Sequence, residues 1–349
     1  MATTTITVEE DDSTSISADG YPHIIDEIFG YAPRSTLLAL RGVCKAWRDR
    51  VDLLMAGHIV LAVYSPVEIS GRGGVRIPGL KNRRNYARVL SGTRVVDLLG
   101  PQSLSPDRVK ALRSQLNDVS VVRHRHHPAG RLPNNALVGA RTLVTFTTVT
   151  EKYEGGTFTG AAAVGPLPEA CERFVLNVKF DPGRSWLSTA SVQPFQTPAQ
   201  LKSVTLILTP IATHKEDEND HWVGNFVDSS RTKVMGMLNS FVLNMTLNIP
   251  RLRYTIVDAE QLRPAWLGFA PEDMQALEEA WLDNFGVIPA REEVLVAEIR
   301  RQVKQGLKKW NQVDDETAEK QVEEHVRFLT RDQYRDEVGE EEYLLETVE

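Results

Sequence analysis

The feature that most constrains the fold is a series of short apolar runs, rich in β-branched residues, along residues 58–330. Runs such as HIVLAVY at 58–64, TLVTFTTVT at 142–150 and LKSVTLILT at 201–209 are typical of strands. Several of them are separated by segments whose apolar residues recur at helical spacing. Strands that alternate with helices pair in parallel through crossover connections. The sequence therefore predicts an α/β fold with parallel strand pairing.

The spacing of the runs leaves two architectures open. Further strands are predicted at 93–99, 119–123, 174–180, 252–257 and 326–330, and helices at 105–116, 232–247, 271–285 and 291–310, with a short acidic helix ending at 349. A Gly- and Arg-rich loop is predicted from 65 to about 85. The irregular intervals suit a degenerate solenoid of the leucine-rich-repeat type, although the strict L-x-x-L-x-L-x-x-N signature is missing. They suit a compact α/β sheet equally well.

Residues 21–52, which precede the first predicted strand, have a different pattern, that of short helices separated by one break. Pro22 suits a first helical position, where its missing N–H is not needed. Ile25 and Ile28 belong to an apolar set at helical spacing, and the break follows at Ala32-Pro33 because proline disfavours helical geometry in the residue before it. Apolar residues then recur at three- and four-residue intervals as far as Trp47.

So many large apolar side chains cannot all be buried within about thirty residues, since domains below about 40 residues usually need metals, disulfides or partners. Two interpretations follow. The segment is a helical hairpin packed on the rest of the chain, or part of its apolar surface is covered by another protein.

The segment resembles an F-box. Residues 22–29 read PHIIDEIF and residues 37–48 read LLALRGVCKAWR, and the Val-Cys-Lys-x-Trp-Arg ending is the most specific part of the match. The sequence departs from the family pattern at His23, Ala32 and Thr36, where the family commonly has an acid, a leucine and an acid, and has Gly20-Tyr21 where Leu-Pro is common. The resemblance covers roughly a tenth of the chain.

The resemblance implies a role as a substrate-recognition adaptor. An F-box docks on the Skp-type linker of a cullin-RING ubiquitin ligase of the SCF type, and the rest of the chain presents a protein substrate for ubiquitination. Such a contact is a helix-in-groove contact that depends on a few apolar anchors. The residues carried over from the motif, as partner contacts or as the module's own core, are Pro22, Ile25, Ile28, Leu37, Leu38, Val43, Cys44 and Trp47. The family often carries leucine-rich-repeat-like domains downstream, which favours the solenoid by association.

Composition and charge set further limits. The formal net charge of −7 argues against a general nucleic-acid binder. Two cysteines far apart, Cys44 and Cys171, provide no disulfide framework and suit a reducing cytoplasmic or nuclear compartment. Residues 1–20 are polar and acidic and are expected to form a disordered leader rather than a signal peptide. The expected domains are therefore the leader at 1–20, an F-box helical module at 21–57 and an α/β substrate-recognition domain with an acidic helical end at 58–349; no apolar run is long enough to span a membrane.

The sequence evidence for a phosphate, zinc or calcium site is weak compared with the evidence for an F-box. The stretch 71–79 lacks the spacing of a phosphate-binding loop, the histidines of RHRHH (His124, His126 and His127) lack zinc-ligand partners and are expected in an exposed loop, and the loop 214–221 lacks calcium-loop spacing. Cys44 is expected to be a small core residue. With no catalytic, metal or cofactor motif, we expect a non-catalytic adaptor without a cofactor.

Three alternatives stay open. The chain could act as an F-box scaffold outside a ligase, as a phosphate or nucleic-acid binder through the basic segment 72–94, or as an enzyme whose site forms only in the fold. A substrate surface is expected in loops at one edge of the α/β domain.

Overall fold

A computed structural model of the protein describes residues 22–62, 68–71, 77, 86–99, 114–116, 118–125, 140–148, 153–154, 157–158, 161–162, 167–180, 191–192, 197–210, 237–261, 279, 282 and 291–348. The chain divides into two compact units. The first ends at Leu54 and the second begins at Met55. They are called the helical unit and the sheet unit below.

Three short helices form the helical unit. They are α1 (Pro22–Tyr31), α2 (Arg34–Leu40) and α3 (Lys45–Ala56), whose last two residues belong to the sheet unit. The break between α1 and α2 occurs where the sequence predicts it, because Pro33 takes the extended conformation at the residue before α2. A turn at residues 41–43 separates α2 from α3.

The sheet unit is organised around one sheet of nine described strands. In chain order they are β1 (His58–Ala62), β2 (Glu68–Gly71), β3 (Val95–Leu99), β4 (Val121–Arg125), β5 (Thr142–Thr148), β6 (Arg173–Phe180), β7 (Ser203–Pro210), β8 (Arg253–Val257) and β9 (Val326–Leu329). Two-residue strand pairs, 153–154 with 157–158 and 161–162 with 191–192, lie outside this sheet.

Apart from β2 at one edge, the strands follow one another in a single direction across the sheet. The order from one edge to the other is β9-β8-β7-β6-β5-β4-β3-β1-β2. Only the β1–β2 pair is antiparallel, and every other neighbouring pair is parallel. Crossovers between parallel strands are right-handed. Because the order of the parallel strands, β1 and β3 to β9, never reverses, successive crossovers lie on the same face of the sheet.

The described helices of the sheet unit are α4 (Tyr86–Leu90), α5 (Met237–Asn248), α6 (Arg291–Gly306, extended by a π-turn at Leu307–Asn311), α7 (Asp315–His325), α8 (Arg331–Val338) and α9 (Glu340–Thr347), with a 3₁₀ turn at Ala259–Gln261. Those that lie between parallel strands, α4 to α7, agree with that rule. Helices α4 to α7 contribute buried side chains to the same cluster as one side of the strands. We call this side the crossover face; its strand residues include Leu61, Leu98, Phe174, Leu206 and Ile256.

The packing on the crossover face is close. A Cβ atom at Gly306 of α6 would lie 2.5 Å from the Thr246 hydroxyl oxygen of α5, so glycine permits the two helices to approach there. Phe241 of α5 meets Tyr254 of β8 edge-to-face, with ring centroids 5.9 Å apart. Burial of apolar side chains against the sheet is therefore the main stabilising contribution on this side.

The opposite side, which we call the capped face, is covered by α8 and α9. Its apolar strand residues, Val95, Val121, Val144, Phe146, Val175, Ile207 and Val257, form one cluster with Tyr334 of α8 and Tyr343 of α9. The central strands are thus buried on both sides, which explains why β7 reads as a near-continuous apolar run rather than an alternating one.

These findings confirm the predicted α/β class and correct several details. Strand β2 and helix α4 were not predicted; β2 lies in the stretch expected to be a loop, because four residues with a single large apolar side chain resemble loop sequence. His124 does not lie in an exposed loop: it is 3% exposed within β4. The acidic helix at the end is two helices separated by Gly339.

Other predictions lie outside the described residues. These include His126 and His127, the loop 214–221, most of the segment 72–94, and most of the helices predicted at 105–116 and 271–285.

Candidate functional site

The helical unit has a small core built on two aromatic rings. Phe29 of α1 is 2% exposed and meets Trp47 of α3 edge-to-face, with ring centroids 5.3 Å apart. The guanidinium of Arg50 lies over the Phe29 ring, 4.8 Å from its centroid, and also pairs with Asp26 of α1. These contacts hold α1 against α3.

A buried carboxylate fixes the end of α2. Arg41 follows α2 and donates from Nε to Oδ1 of Asp52 at 2.7 Å and from Nη2 to Oδ2 at 3.3 Å, a two-pronged ion pair with α3. Gly42 lies in the turn that follows, with its N–H donated to the Ala39 carbonyl at 2.9 Å. The turn and the ion pair together position α2 relative to α3.

Several large apolar side chains of the helical unit are exposed. Ile24 and Ile28 lie one turn apart on α1 and are 44% and 48% exposed, and Tyr31 continues the same stripe at 89%. Leu38 of α2 is 41% exposed and Val43 of the following turn is 63% exposed. Single exposed apolar residues are ordinary, but a helical stripe of them is typical of a surface that a partner covers.

The structure divides the residues carried over from the F-box motif into two groups. Ile28, Leu38, Val43 and Cys44 are exposed, whereas Ile25, Leu37 and Trp47 are half-buried. Pro22 is the first residue of α1. The exposed group is available to a partner, and Trp47 belongs to the core of the unit itself.

Cys44 differs from the sequence expectation of a small core residue. It is exposed and stands just before α3, where its Sγ accepts the N–H of Trp47 at 3.5 Å. The sulfur thus takes the place of the oxygen that usually caps a helix start. The other cysteine, Cys171, is buried, and burial raises the pKa of its thiol to about 11. It is therefore protonated at neutral pH and is a poor nucleophile.

A second cluster, on the capped face of the sheet unit, was not singled out in the sequence. Arg173 of β6 donates from Nη2 to the Tyr334 hydroxyl at 2.9 Å and to Oε2 of Glu346 at 3.0 Å, and from Nη1 to Glu342 at 3.2 Å. Tyr334 in turn donates its hydroxyl to Glu346. Asn177 of β6 donates its amide to the backbone carbonyl of Glu346 at 2.6 Å.

This cluster has an unusual electrostatic balance, because Glu346 is only 1% exposed. Burial raises the pKa of the Glu346 carboxyl to about 7, against the opposing effects of the Arg173 charge and the Tyr334 hydrogen bond. Burial also raises the pKa of Tyr334 above its ordinary value, so the phenol stays protonated and able to donate.

The polar row continues across the sheet. Asp97 of β3 accepts at Oδ1 from Nε2 of His58 at 3.0 Å and pairs with Nε of Arg123 at 3.3 Å. Arg123, in β4, also donates to the backbone carbonyl of Val348. Charged residues inside apolar strand runs, such as Asp97 in VVDLL, are the only sequence signal of this row.

Within the described part of the chain, no group of three or more His, Cys, Asp or Glu side chains is arranged to hold a metal ion. Among the same residues, no helix is long and apolar enough to cross a membrane. Comparisons of the chain with protein-family models, with curated proteins and with solved structures found no match.

Proposed function

We propose that the protein is a non-catalytic F-box adaptor of a cullin-RING ubiquitin ligase, which docks on the Skp-type linker through the helical unit. The observation that carries the proposal is the exposed apolar surface of Ile24, Ile28, Leu38 and Val43. It lies in the segment whose sequence resembles an F-box, on a compact unit distinct from the sheet unit.

The geometry of the helical unit supports a docking role. Its aromatic pair and its Arg41–Asp52 ion pair fix three short helices, while the stripe on α1 faces solvent. A preformed apolar surface binds a groove without a large ordering cost. Burial of a few such side chains, at about 1.5–3 kcal/mol each, is enough to anchor a specific complex.

In this proposal the sheet unit selects the substrate. The sequential order of the parallel strands is the arrangement that a leucine-rich-repeat-like solenoid has, and it supports that architecture; the antiparallel edge strand β2 does not belong to this arrangement. The coverage of the capped face by α8 and α9 instead supports a compact sheet with both faces buried. We propose an intermediate form, in which a solenoid-like sheet is closed on its second face by its own helices.

The test is binding of the purified chain to a purified Skp-type linker. Leu38→Asp places a charge on the exposed surface and is expected to weaken binding at least a hundredfold, because the charge must be buried without a partner. Thr36→Asp is the matched control: it adds the same charge to the same exposed helix, at a position where the F-box pattern itself has an acid. Equal linker binding by the parent and by Leu38→Asp would refute the proposal.

Trp47→Ala acts differently and needs a separate interpretation. It removes the ring that packs on Phe29, so it is expected to lose linker binding by unfolding the helical unit rather than by removing a contact. Circular dichroism of the variant distinguishes the two causes.

Two rival functions give different outcomes in the same assays. A scaffold outside the ligase binds the linker but does not co-purify with a cullin. A phosphate or nucleic-acid binder acting through residues 72–94 shows binding that weakens steeply with salt.

A further inference from the structure

Helix α9 is attached to the sheet unit by apolar and by polar contacts. Of its eight residues, Tyr343 and Glu346 are buried, whereas Leu344 is 37% exposed. It joins α8 through the single residue Gly339, whose φ of 84° suits glycine and whose missing Cβ would meet nothing within 4 Å. Tyr343 and the partly buried Leu345 pack against the apolar cluster of the capped face, and polar contacts hold the helix in addition.

In the hydrogen bonds that hold α9, the protein surface beneath the helix supplies the donors, and α9 together with the residue after it supplies the acceptors. The donors are the guanidinium groups of Arg173 and Arg123 and the side-chain amide of Asn177 on the sheet, together with the Tyr334 hydroxyl of α8. We call these four residues the donor surface. The acceptors are the two carboxylates of Glu342 and Glu346 and the backbone carbonyls of Glu346 and Val348.

The arrangement of these acceptors indicates which kind of ligand the donor surface fits. Glu342 and Glu346 are four residues apart and therefore lie on one side of the helix. The two bound carbonyls belong to the last turn and its end, where backbone acceptors have no partner within the helix. Tyr343 adds an apolar anchor, packed edge-to-face on Tyr334 with ring centroids 6.5 Å apart. The donor surface thus fits the C-terminal turn of an acidic helix.

We propose that the donor surface is a docking site for an acidic helical segment of a partner protein, and that α9 is its internal occupant, with which the partner competes. An incoming helix with carboxylates at the same spacing provides the same acceptors, so the exchange leaves no buried donor without an acceptor. That the partner is the protein presented for ubiquitination rests on the proposed adaptor function; the site itself does not.

The experiment uses the full-length chain and a fluorescein-labelled peptide of residues 340–348, with binding followed by anisotropy. In the parent, α9 occupies the site. In Glu346→Lys, α9 is repelled by Arg173, so the peptide is expected to bind at least tenfold more tightly than to the parent. The double variant Arg173→Glu, Glu346→Lys restores an opposite pair in cis and repels the peptide, so binding is expected to fall back to the parent level or below.

A matched control peptide carries Glu342→Lys and Glu346→Lys. It keeps the length and the tyrosine but brings positive charges to Arg173, and it is expected to bind Glu346→Lys at least tenfold more weakly than the acidic peptide does. The inference is overturned if the acidic peptide binds Glu346→Lys no better than the parent, or if the two peptides bind equally.

A second arm does not depend on the folding of Glu346→Lys. A protease recognition sequence inserted at Gly339 allows α9 to be cut from the folded parent. The labelled peptide is then expected to replace the released helix; a helix that stays bound against excess peptide would overturn the inference. Linker binding, measured on the same samples, separates the two proposals. Loss of peptide exchange with linker binding intact refutes the docking site alone, and the reverse refutes the adaptor function alone.

Discussion

The two units of this protein treat their large apolar side chains in opposite ways. In the sheet unit the central strands are buried on both faces, by crossover helices on one side and by α8 and α9 on the other. In the helical unit Phe29 is buried, while Ile24, Ile28, Leu38 and Val43 are exposed. A unit that leaves an apolar stripe uncovered, while the described central strands of the sheet unit are covered on both faces, is organised for contact with another molecule.

The largest expected effect tests the difference in burial. Phe174→Ala removes a fully buried ring from the crossover face and is expected to lower the free energy of unfolding by about 3–5 kcal/mol. Ile28→Ala, at an exposed position, is expected to change it by less than about 0.5 kcal/mol. Urea unfolding measures both. A loss at Ile28 comparable to that at Phe174 would show that the α1 stripe is core and not a partner surface.

The next effect concerns the Glu346 carboxyl on the capped face. The Glu346 carboxyl has an ordinary pKa of 4.5 and about 7 when α9 is packed, so it binds a proton more tightly in the packed state. The Glu346 carboxyl therefore stabilises the packing of α9 most strongly below about pH 4.5. This contribution is lost as the pH rises to about 7. The loss is on the order of 3 kcal/mol and levels off above pH 7.

Hydrogen exchange of α9 at pH 5.5 and pH 8, corrected for the intrinsic exchange rate, measures that loss. The groups that face Glu346 are Arg173 from β6, Tyr334 from α8 and Glu342 from α9 itself. Glu346→Gln is the control, since it keeps the shape and removes the titration; its α9 should show no such pH dependence. Equal pH dependence in parent and control would assign the effect to another group.

The smallest of these effects lies in the helical unit. Arg41→Met removes both hydrogen bonds to Asp52 but keeps most of the aliphatic side chain, and it is expected to destabilise the unit by about 1–2 kcal/mol. Hydrogen exchange of α1, α2 and α3 measures the loss, because five of the six tryptophans lie outside this unit and fluorescence would not isolate it. If Asp52→Asn in the same background recovers none of the loss, the buried carboxylate is not its cause.

The sequence predicted the sheet well and its surfaces poorly, for physical reasons. Runs such as residues 201–209 predict strands because β-branched apolar residues suit a sheet that is buried on both faces. Periodicity alone does not separate Ile24 and Ile28 from Ile25 and Phe29. The two pairs are offset by one residue, or about 100° around the helix, and both are apolar. Only the tertiary structure shows that the first pair faces solvent and that Phe29 meets Trp47.

The capped face was beyond sequence analysis for another reason. Arg173 and Glu346 are 173 residues apart, and no local spacing rule connects an arginine at a strand start with a glutamate in a later acidic helix. The usual interpretation of a charge-rich helix is that its charged face is solvated. The structure instead buries Glu346, one of its acids, against the sheet.

The central claim, that the helical unit is the partner surface, is tested most directly by hydrogen exchange of the full-length chain with and without a purified Skp-type linker. The account predicts that the linker slows exchange in α1, α2 and the turn at residues 41–43 and leaves β6, β7 and β8 unchanged. Protection confined to the sheet unit, or no protection anywhere at saturating linker, would contradict it.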